Sequence, residues 1–146
     1  MDEQQGFEWS DRYLLGHPAM DDTHREFVEL VNALLTVDAG DLESALAEFA
    51  RHAEAHFEQE NRWMETDGFP ARDCHVDEHN KVLASVREVQ EELANGNVQL
   101  VRDLAVALMD WFPAHADYMD SALSTWLVKR SHGGRPLVLR RGVGKV

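Results

Sequence analysis

The sequence predicts an all-α protein: an up-down-up-down antiparallel four-helix bundle with an N-terminal arm packed on it. Three observations favour this fold. Apolar residues recur at three- and four-residue steps over four long segments. The connections between these segments are short, and no segment alternates with period two for long. Helices joined by short connections pack as antiparallel neighbours, so a bundle follows.

The first helix is expected over about residues 21–36, where Asp21, Asp22 or Thr23 can cap its start. The second helix is expected over about residues 42–65. The sequence DGFP follows it and contains a helix-stopping glycine and a proline that cannot continue a helix.

The third helix is expected over about residues 71–94 and the fourth over about residues 98–128, with an ANGN turn between them. Pro113 lies inside the fourth helix, where it removes a backbone donor and disfavours helical geometry at the preceding residue. We therefore expect a kink there, or two abutting helices. Residues 1–20 are too rich in aromatic and aliphatic side chains for a loose tail, so they are expected to pack on the bundle.

The charge is distributed unevenly along the chain. The net charge is −13, but residues 129–146 carry six basic groups and no acid, which leaves 8 basic against 27 acidic groups in the first 128 residues. Such an acidic body repels phosphates, so no nucleic-acid partner is expected. We expect residues 1–130 to form the bundle with its arm and 131–146 a basic C-terminal tail. A solvated terminus is the simplest interpretation of the tail, but it could also fold back or contact an unknown protein partner.

No membrane association is expected. No apolar run approaches the roughly 18 residues of a membrane span, and the N-terminal residues lack the basic and apolar segments of a secretory signal. The single cysteine, Cys74, cannot form an intramolecular disulfide and fits a reducing compartment. These features favour a cytoplasmic location.

Histidine and carboxylate residues recur on every predicted helix. Each pair taken singly could be a solvated surface pair worth a few tenths of a kcal/mol. Together, next to apolar neighbours, they would be costly in an interior without a partner, and a metal is such a partner. The set comprises His24 on the first helix, His56 and Glu60 on the second, His75 and His79 on the third, and His115 and Asp120 on the fourth.

The residue types restrict the metal. Imidazole with carboxylate suits iron, zinc, copper or nickel and disfavours calcium and magnesium. Five histidines and two carboxylates exceed one tetrahedral zinc site and fit two metals that share carboxylates. The sequence contains neither the Glu-x-x-His motif of ferritin-like di-iron proteins nor the HExxH motif of zinc proteases.

Four motifs in order resemble those of the hemerythrins, in the bacterial single-domain form. They are MDDTH at 20–24, HFEQE at 56–60, HVDEH at 75–79 and WFPAHADYMD at 111–120, and the early Trp9 also fits. The resemblance covers roughly residues 7–128 and fills all seven ligand positions of the family.

The resemblance implies a non-haem di-iron centre with an oxo or hydroxo bridge. Glu60 and Asp120 would bridge the two irons, and dioxygen would bind at the open position of the iron that has two histidines. The family would assign His75, His79 and His115 to one iron, and His24 and His56 to the other.

Five further residues are expected near this centre. Phe57, Trp111 and Phe112 are candidates to line the dioxygen pocket, although plain core packing explains them equally well. His52 occupies a position where relatives often carry tyrosine, and it is either an outer hydrogen-bond partner or a solvated or packed histidine. Ala116 stands where a larger aliphatic residue is usual, which could widen the pocket and speed autoxidation.

The function expected from the resemblance is reversible dioxygen binding, for storage or transport, rather than enzymatic turnover. One alternative is a sensor of oxygen, redox or iron state that signals through the N-terminal arm or the basic tail. The third possibility is a di-iron enzyme that handles peroxide or nitric oxide. Trimming residues 131–146 would discriminate the sensor, and catalytic consumption with a reductant would discriminate the enzyme.

Overall fold

The computed structural model describes residues 9–131, and they form a bundle of four antiparallel helices in which the fourth is interrupted. The four-helix bundle predicted from the sequence is confirmed. The helices are α1 (Pro18–Thr36), α2 (Leu42–Thr66), α3 (Arg72–Ala94), α4 (Val98–His115) and α5 (Ser121–Ser131), and a π-helical segment (Ala116–Asp120) joins the last two.

The helices are arranged as a ring. α1 packs against α2 and α4, and α3 packs against the same two helices from the other side. The main core fills the half of the bundle near the α1–α2 and α3–α4 connections, with Phe27, Phe49 and Phe112 among its largest side chains. A smaller apolar cluster around Met20, Met64 and Leu123 closes the other end. Between the two clusters lies a layer of buried polar side chains.

Local sequence explains where the helices begin and end. α2 ends in a Schellman motif, since Gly68 has a φ of 64° and the amide of Phe69 donates to the carbonyl of Met64 at 2.9 Å. The side chain of Asn97 accepts from the amide of Leu100 and so caps α4. These two turns hold α3 antiparallel to α2 and α4.

The cap predicted for α1 was wrong. The helix begins at Pro18, earlier than expected, and His17 is its N-cap, with Nδ1 accepting from the amide of Met20 at 3.2 Å. Proline is favoured at the first helical position because its missing N–H has no partner there in any case. Asp21 lies inside the helix and accepts instead from the amides of Leu15 and Gly16.

The fourth helix is interrupted, but not at the proline. Pro113 lies within α4, and the π-helical segment begins three residues later, at Ala116. The amide of Ser121 donates to the carbonyl of Ala116, the i to i+5 hydrogen bond that defines a π turn. Such turns occur often at functional sites.

The described part of the N-terminal arm packs on the bundle, as the sequence predicts. Trp9 and Tyr13 contact the main core, and the hydroxyl of Ser124 on α5 donates to the carbonyl of Leu15. Residues 1–8 lie outside the described residues, and so does the predicted basic tail apart from its first residue. Within residues 9–131, no helix is both long enough and apolar enough to cross a membrane.

Candidate metal centre

Seven ionisable side chains meet in the buried layer between the two apolar clusters. Each of the seven residues is at most 5% exposed. Imidazoles and carboxylates are rarely buried to this extent without a charged or metallic partner. They are the seven that the sequence pointed to: His24, His56, Glu60, His75, His79, His115 and Asp120.

Helical spacing brings most of them together. His56 and Glu60 are four residues apart on α2, and His75 and His79 are four residues apart on α3, so each pair shares one face of its helix. His24 approaches the same point from α1. All five rings direct Nε2 toward the two carboxylates.

The five-residue spacing on the last helix brings its two cluster residues together only because of the π turn. His115 and Asp120 are five residues apart, and on an α-helix they would point about 140° apart, because each residue turns the helix by about 100°. The π-helical segment aligns residues that are five apart. Its result is a distance of 3.2 Å between Nε2 of His115 and Oδ1 of Asp120.

Glu60 divides its two oxygens between two groups of histidines. Oε2 lies 2.8 Å from Nε2 of His56 and 3.4 Å from Nε2 of His24. Oε1 lies 3.2 Å from Nε2 of His79 and 3.5 Å from Nε2 of His75. One carboxylate therefore faces both groups, with a different oxygen toward each.

Asp120 makes the same division. Oδ2 lies 3.0 Å from Nε2 of His24, whereas Oδ1 lies 2.9 Å from Nε2 of His75 and 3.2 Å from Nε2 of His115. The histidines thus fall into a pair, which we call the two-histidine half, and a triad, which we call the three-histidine half. The pair is His24 with His56, and the triad is His75, His79 and His115.

Several of these atoms converge without hydrogen bonding to one another. Nε2 of His24, His79 and His115 and Oε1 of Glu60 are buried and have no hydrogen-bond partner. These atoms face one another across the buried layer, as ligand atoms do around an ion. Within each half, the atoms that could serve as ligands lie within 4.8 Å of one another, and Glu60 belongs to both sets.

The electrostatics are those of an ion-pair cluster. Burial alone would lower the pKa of His24, but contacts with Asp120 and Glu60 outweigh it and raise that pKa to about 10. The same balance raises the pKa of His75 to about 9. Burial opposes ionisation of Glu60, yet attraction to His56 and the neighbouring rings holds its pKa well below the usual value. Both carboxyl groups are therefore ionised, since the pKa of Asp120 is also lowered.

Aromatic rings enclose the layer on several sides. Phe57 stacks on His79 with ring centroids 4.0 Å apart and planes 6° apart. The Trp111 ring stacks on the His115 ring with centroids 4.3 Å apart. Phe112 meets His24 edge-on at 5.3 Å and 85°. The structure thus brings all three predicted lining residues against the cluster.

Two other expected neighbours are less direct. Nε2 of His52 hydrogen-bonds Glu26 at 3.2 Å, and its ring lies edge-on to His56 with centroids 5.7 Å apart. Of the two alternatives for His52, an outer partner of the cluster would hydrogen-bond a cluster histidine, whereas the hydrogen bond of His52 is to α1. Ala116 is 1% exposed and belongs to the main core. Cys74 is exposed, on the outer side of α3.

The sequence did not single out two residues that contact the cluster from outside. Oε1 of Glu78 lies 2.7 Å from Nδ1 of His115, and Oδ1 of Asn61 lies 2.9 Å from Nδ1 of His79. Both are adjacent in sequence to cluster residues, which is the only signal the sequence carries. Whether they face a ring of another helix depends on how the helices are rotated.

Comparison with known proteins agrees with this architecture. The family model described as the hemerythrin HHE cation binding domain matches residues 15–127. The chain belongs to the hemerythrin family. It is 42% identical over 128 residues to a bacteriohemerythrin of Ralstonia nicotianae, a match that spans 88% of this chain and 93% of that relative.

Solved hemerythrin structures share the fold of this hemerythrin-family chain. The crystal structure of a wild-type hemerythrin aligns with a TM-score of 0.75 at 21% identity, covering 82% of this chain and 95% of that one. A hemerythrin with a leucine-to-alanine substitution aligns with a TM-score of 0.77 at 20% identity, covering 84% and 98%. At these identities the likeness shows the fold. The family and the buried cluster together are consistent with a metal site.

Proposed function

We propose that the buried cluster holds two iron ions and that the chain binds dioxygen reversibly at them. The observation that carries this proposal is the division of the carboxylate oxygens. Glu60 and Asp120 each present one oxygen to the two-histidine half and the other to the three-histidine half. A carboxylate so placed can bridge two ions. A site for a single ion does not require the two oxygens of one carboxylate to face different groups of histidines.

The donor set fits iron. Nitrogen from imidazole and oxygen from carboxylate suit first-row transition metals, and the aromatic rings around the cluster limit access of water. Two ferrous ions would supply the two electrons that reversible dioxygen binding draws on. The two-histidine half has one histidine fewer, so an ion held there would keep a position for dioxygen.

The protein's own contribution is to hold the rings and exclude water. Phe57 and Phe112 pack directly on cluster histidines, and both are at most 2% exposed. A dry, preformed pocket protects a reduced oxygen ligand from protons. We propose binding rather than turnover on this ground, and a cytoplasmic location on the ground of the exposed Cys74 thiol.

The test is metal content joined to an optical spectrum of anaerobically reduced protein before and after air. We expect about two irons per chain and charge-transfer bands that appear in air and vanish under inert gas. One zinc per chain, or no metal, would reject the di-iron centre. Two irons that oxidise at once, or catalytic consumption of peroxide or nitric oxide with a reductant, would reject reversible binding.

Two histidines one turn apart on α2 give a matched control. His56→Gln removes a proposed ligand of the two-histidine half, so we expect it to lower the metal content and abolish the oxygenated spectrum. His52→Gln removes a ring whose hydrogen bond is to Glu26, so the metal content should stay at about two. Equal loss in both variants would argue against the ligand assignment.

A sensor is the second candidate function, and packing of the arm favours it. Tyr13 meets Phe112 edge-on at 5.3 Å, and Phe112 meets His24 in the same way. A change at the two-histidine half thus has a short route to the arm. Partner capture that depends on the oxygenation state and on residues 9–17 would support this role. We also propose the division predicted from the sequence, with residues 1–130 as the bundle and its arm and residues 131–146 as a basic tail, whose deletion should leave the metal content unchanged.

A further inference from the structure

Outer hydrogen bonds reach the two halves of the cluster unequally. In the three-histidine half, Nδ1 of His115 has Glu78 as its partner and Nδ1 of His79 has Asn61, whereas Nδ1 of His75 has no hydrogen-bond partner. In the two-histidine half, Nδ1 of both His24 and His56 is buried and has no hydrogen-bond partner.

These partners bear on metal binding because imidazole has two tautomers. A neutral ring offers one nitrogen as a lone pair and carries the proton on the other. All five rings face the carboxylates with Nε2, so a metal ligand there needs its proton on Nδ1. An acceptor at Nδ1 favours that tautomer, fixes the ring plane and raises the basicity of the ligand nitrogen.

Glu78 is the stronger of the two acceptors. A carboxylate accepts a hydrogen bond more strongly than an amide oxygen does. Oε1 of Glu78 also accepts from Nε1 of Trp111 at 3.2 Å, and the Trp111 ring stacks on His115. His115 is therefore held on its face by stacking and at its edge by a charged acceptor. Since Glu78 belongs to α3, it also ties α4 to the helix that supplies His75 and His79.

We propose that Glu78 and Asn61 are positioning residues that make the three-histidine half the first to bind a metal ion and the last to release it. This inference rests on the proposed two-metal centre. The two-histidine half, with fewer imidazoles and no acceptor at Nδ1, holds the ion that exchanges more readily. The chain therefore passes through a state with one ion when it loads and when it is stripped.

The experiment is stepwise metal exchange with Co²⁺, which is stable in air and whose visible absorption reports coordination. Metal-free protein is titrated by calorimetry, and the loaded protein is then stripped with excess chelator. We expect two binding steps and two release phases of equal amplitude. In Glu78→Gln, the slow release phase should accelerate by about 10–100-fold while the fast phase is unchanged.

Asn61→Asp provides a test in the opposite direction. It places a carboxylate at Nδ1 of His79, so the rate of the slow release phase should fall below that of the parent. In the double variant with Glu78→Gln, the rate of that phase should return part of the way to the parent value. Glu88→Gln makes the same charge change on an exposed position of α3 and should leave both phases as in the parent. A purely structural role for Glu78 would not be rescued by a charge added on α2.

The possible failures are distinguishable. If Co²⁺ does not bind, or binds as one ion, the two-metal centre fails and this inference fails with it. If two ions bind but leave in one phase, or if Glu78→Gln accelerates both phases equally or neither, the centre stands and the inference is overturned.

Discussion

Metal binding to the metal-free protein should release protons at neutral pH, and more of them than free histidine would. The pKa of His24 is raised to about 10 and that of His75 to about 9, because Asp120 and Glu60 outweigh the effect of burial. At pH 7 both rings are about 99% protonated or more. A metal ion has to displace both protons, which costs about 4 and about 3 kcal/mol at 1.36 kcal/mol per pH unit.

The assay is calorimetric titration of the metal-free protein with Zn²⁺ at pH 7, in buffers that differ in their enthalpy of ionisation. The dependence of the observed heat on that enthalpy gives the number of protons released. We expect at least about two per fully loaded chain. The logarithm of the overall binding constant should rise by at least about two per pH unit between pH 7 and 8.5.

Ordinary imidazoles would behave differently. Five rings with a pKa of about 6.5 are each about one quarter protonated at pH 7, so together they would release about one proton. Their overall binding constant would rise less than about tenfold between pH 7 and 8.5. His52→Gln is the control, because burial and repulsion from His56 lower the pKa of His52, which is therefore neutral at pH 7. Release of about one proton or fewer would refute the view that the carboxylates hold the cluster histidines protonated.

Three further outcomes are expected. The metal-free protein should lose at least about 3 kcal/mol of unfolding free energy between pH 6.5 and 10, measured by urea denaturation. Raising the pKa of His75 from 6.5 to about 9 stabilises the fold below pH 6.5, and that stability, about 3 kcal/mol, is lost as pH rises through 9. The raised pKa of His24, about 10, adds to the loss in the same direction. Asp120→Asn should lower the metal content below two per chain, and an unchanged metal content would contradict the bridging role of Asp120. The same variant should destabilise the metal-free protein by about 3–5 kcal/mol in urea denaturation, because protonated imidazoles lose their counter-ion. Tyr13→Ala should cost about 1 kcal/mol and speed oxidation of the ferrous protein in air, followed optically, whereas Tyr13→Phe keeps the ring against Phe112 and should oxidise more slowly than Tyr13→Ala.

Most of the bundle was predictable because helices are local. Apolar periodicity and turn residues gave the extents of α2 and α3 to within one residue of those in the structure. The start of α1 was missed because His17 caps it with a ring nitrogen, a less common capping group than the side chains of Asp and Thr. The interruption of the last helix was expected at Pro113, but the π turn follows it, and no single residue type marks such a turn.

The sequence by itself determined which side of α2 and α3 carries the cluster residues, since a spacing of four puts two side chains on one face whatever the helix packs against. It also determined that histidine or carboxylate residues of the cluster recur on all four predicted helices. Only the tertiary structure decided which oxygen of Glu60 and of Asp120 faces which half, and that Glu78 and Asn61 reach Nδ1 of His115 and His79. The physical reason is that spacing fixes positions around one helix axis, whereas contacts between helices depend on how each helix is rotated and shifted by the packing of its apolar face.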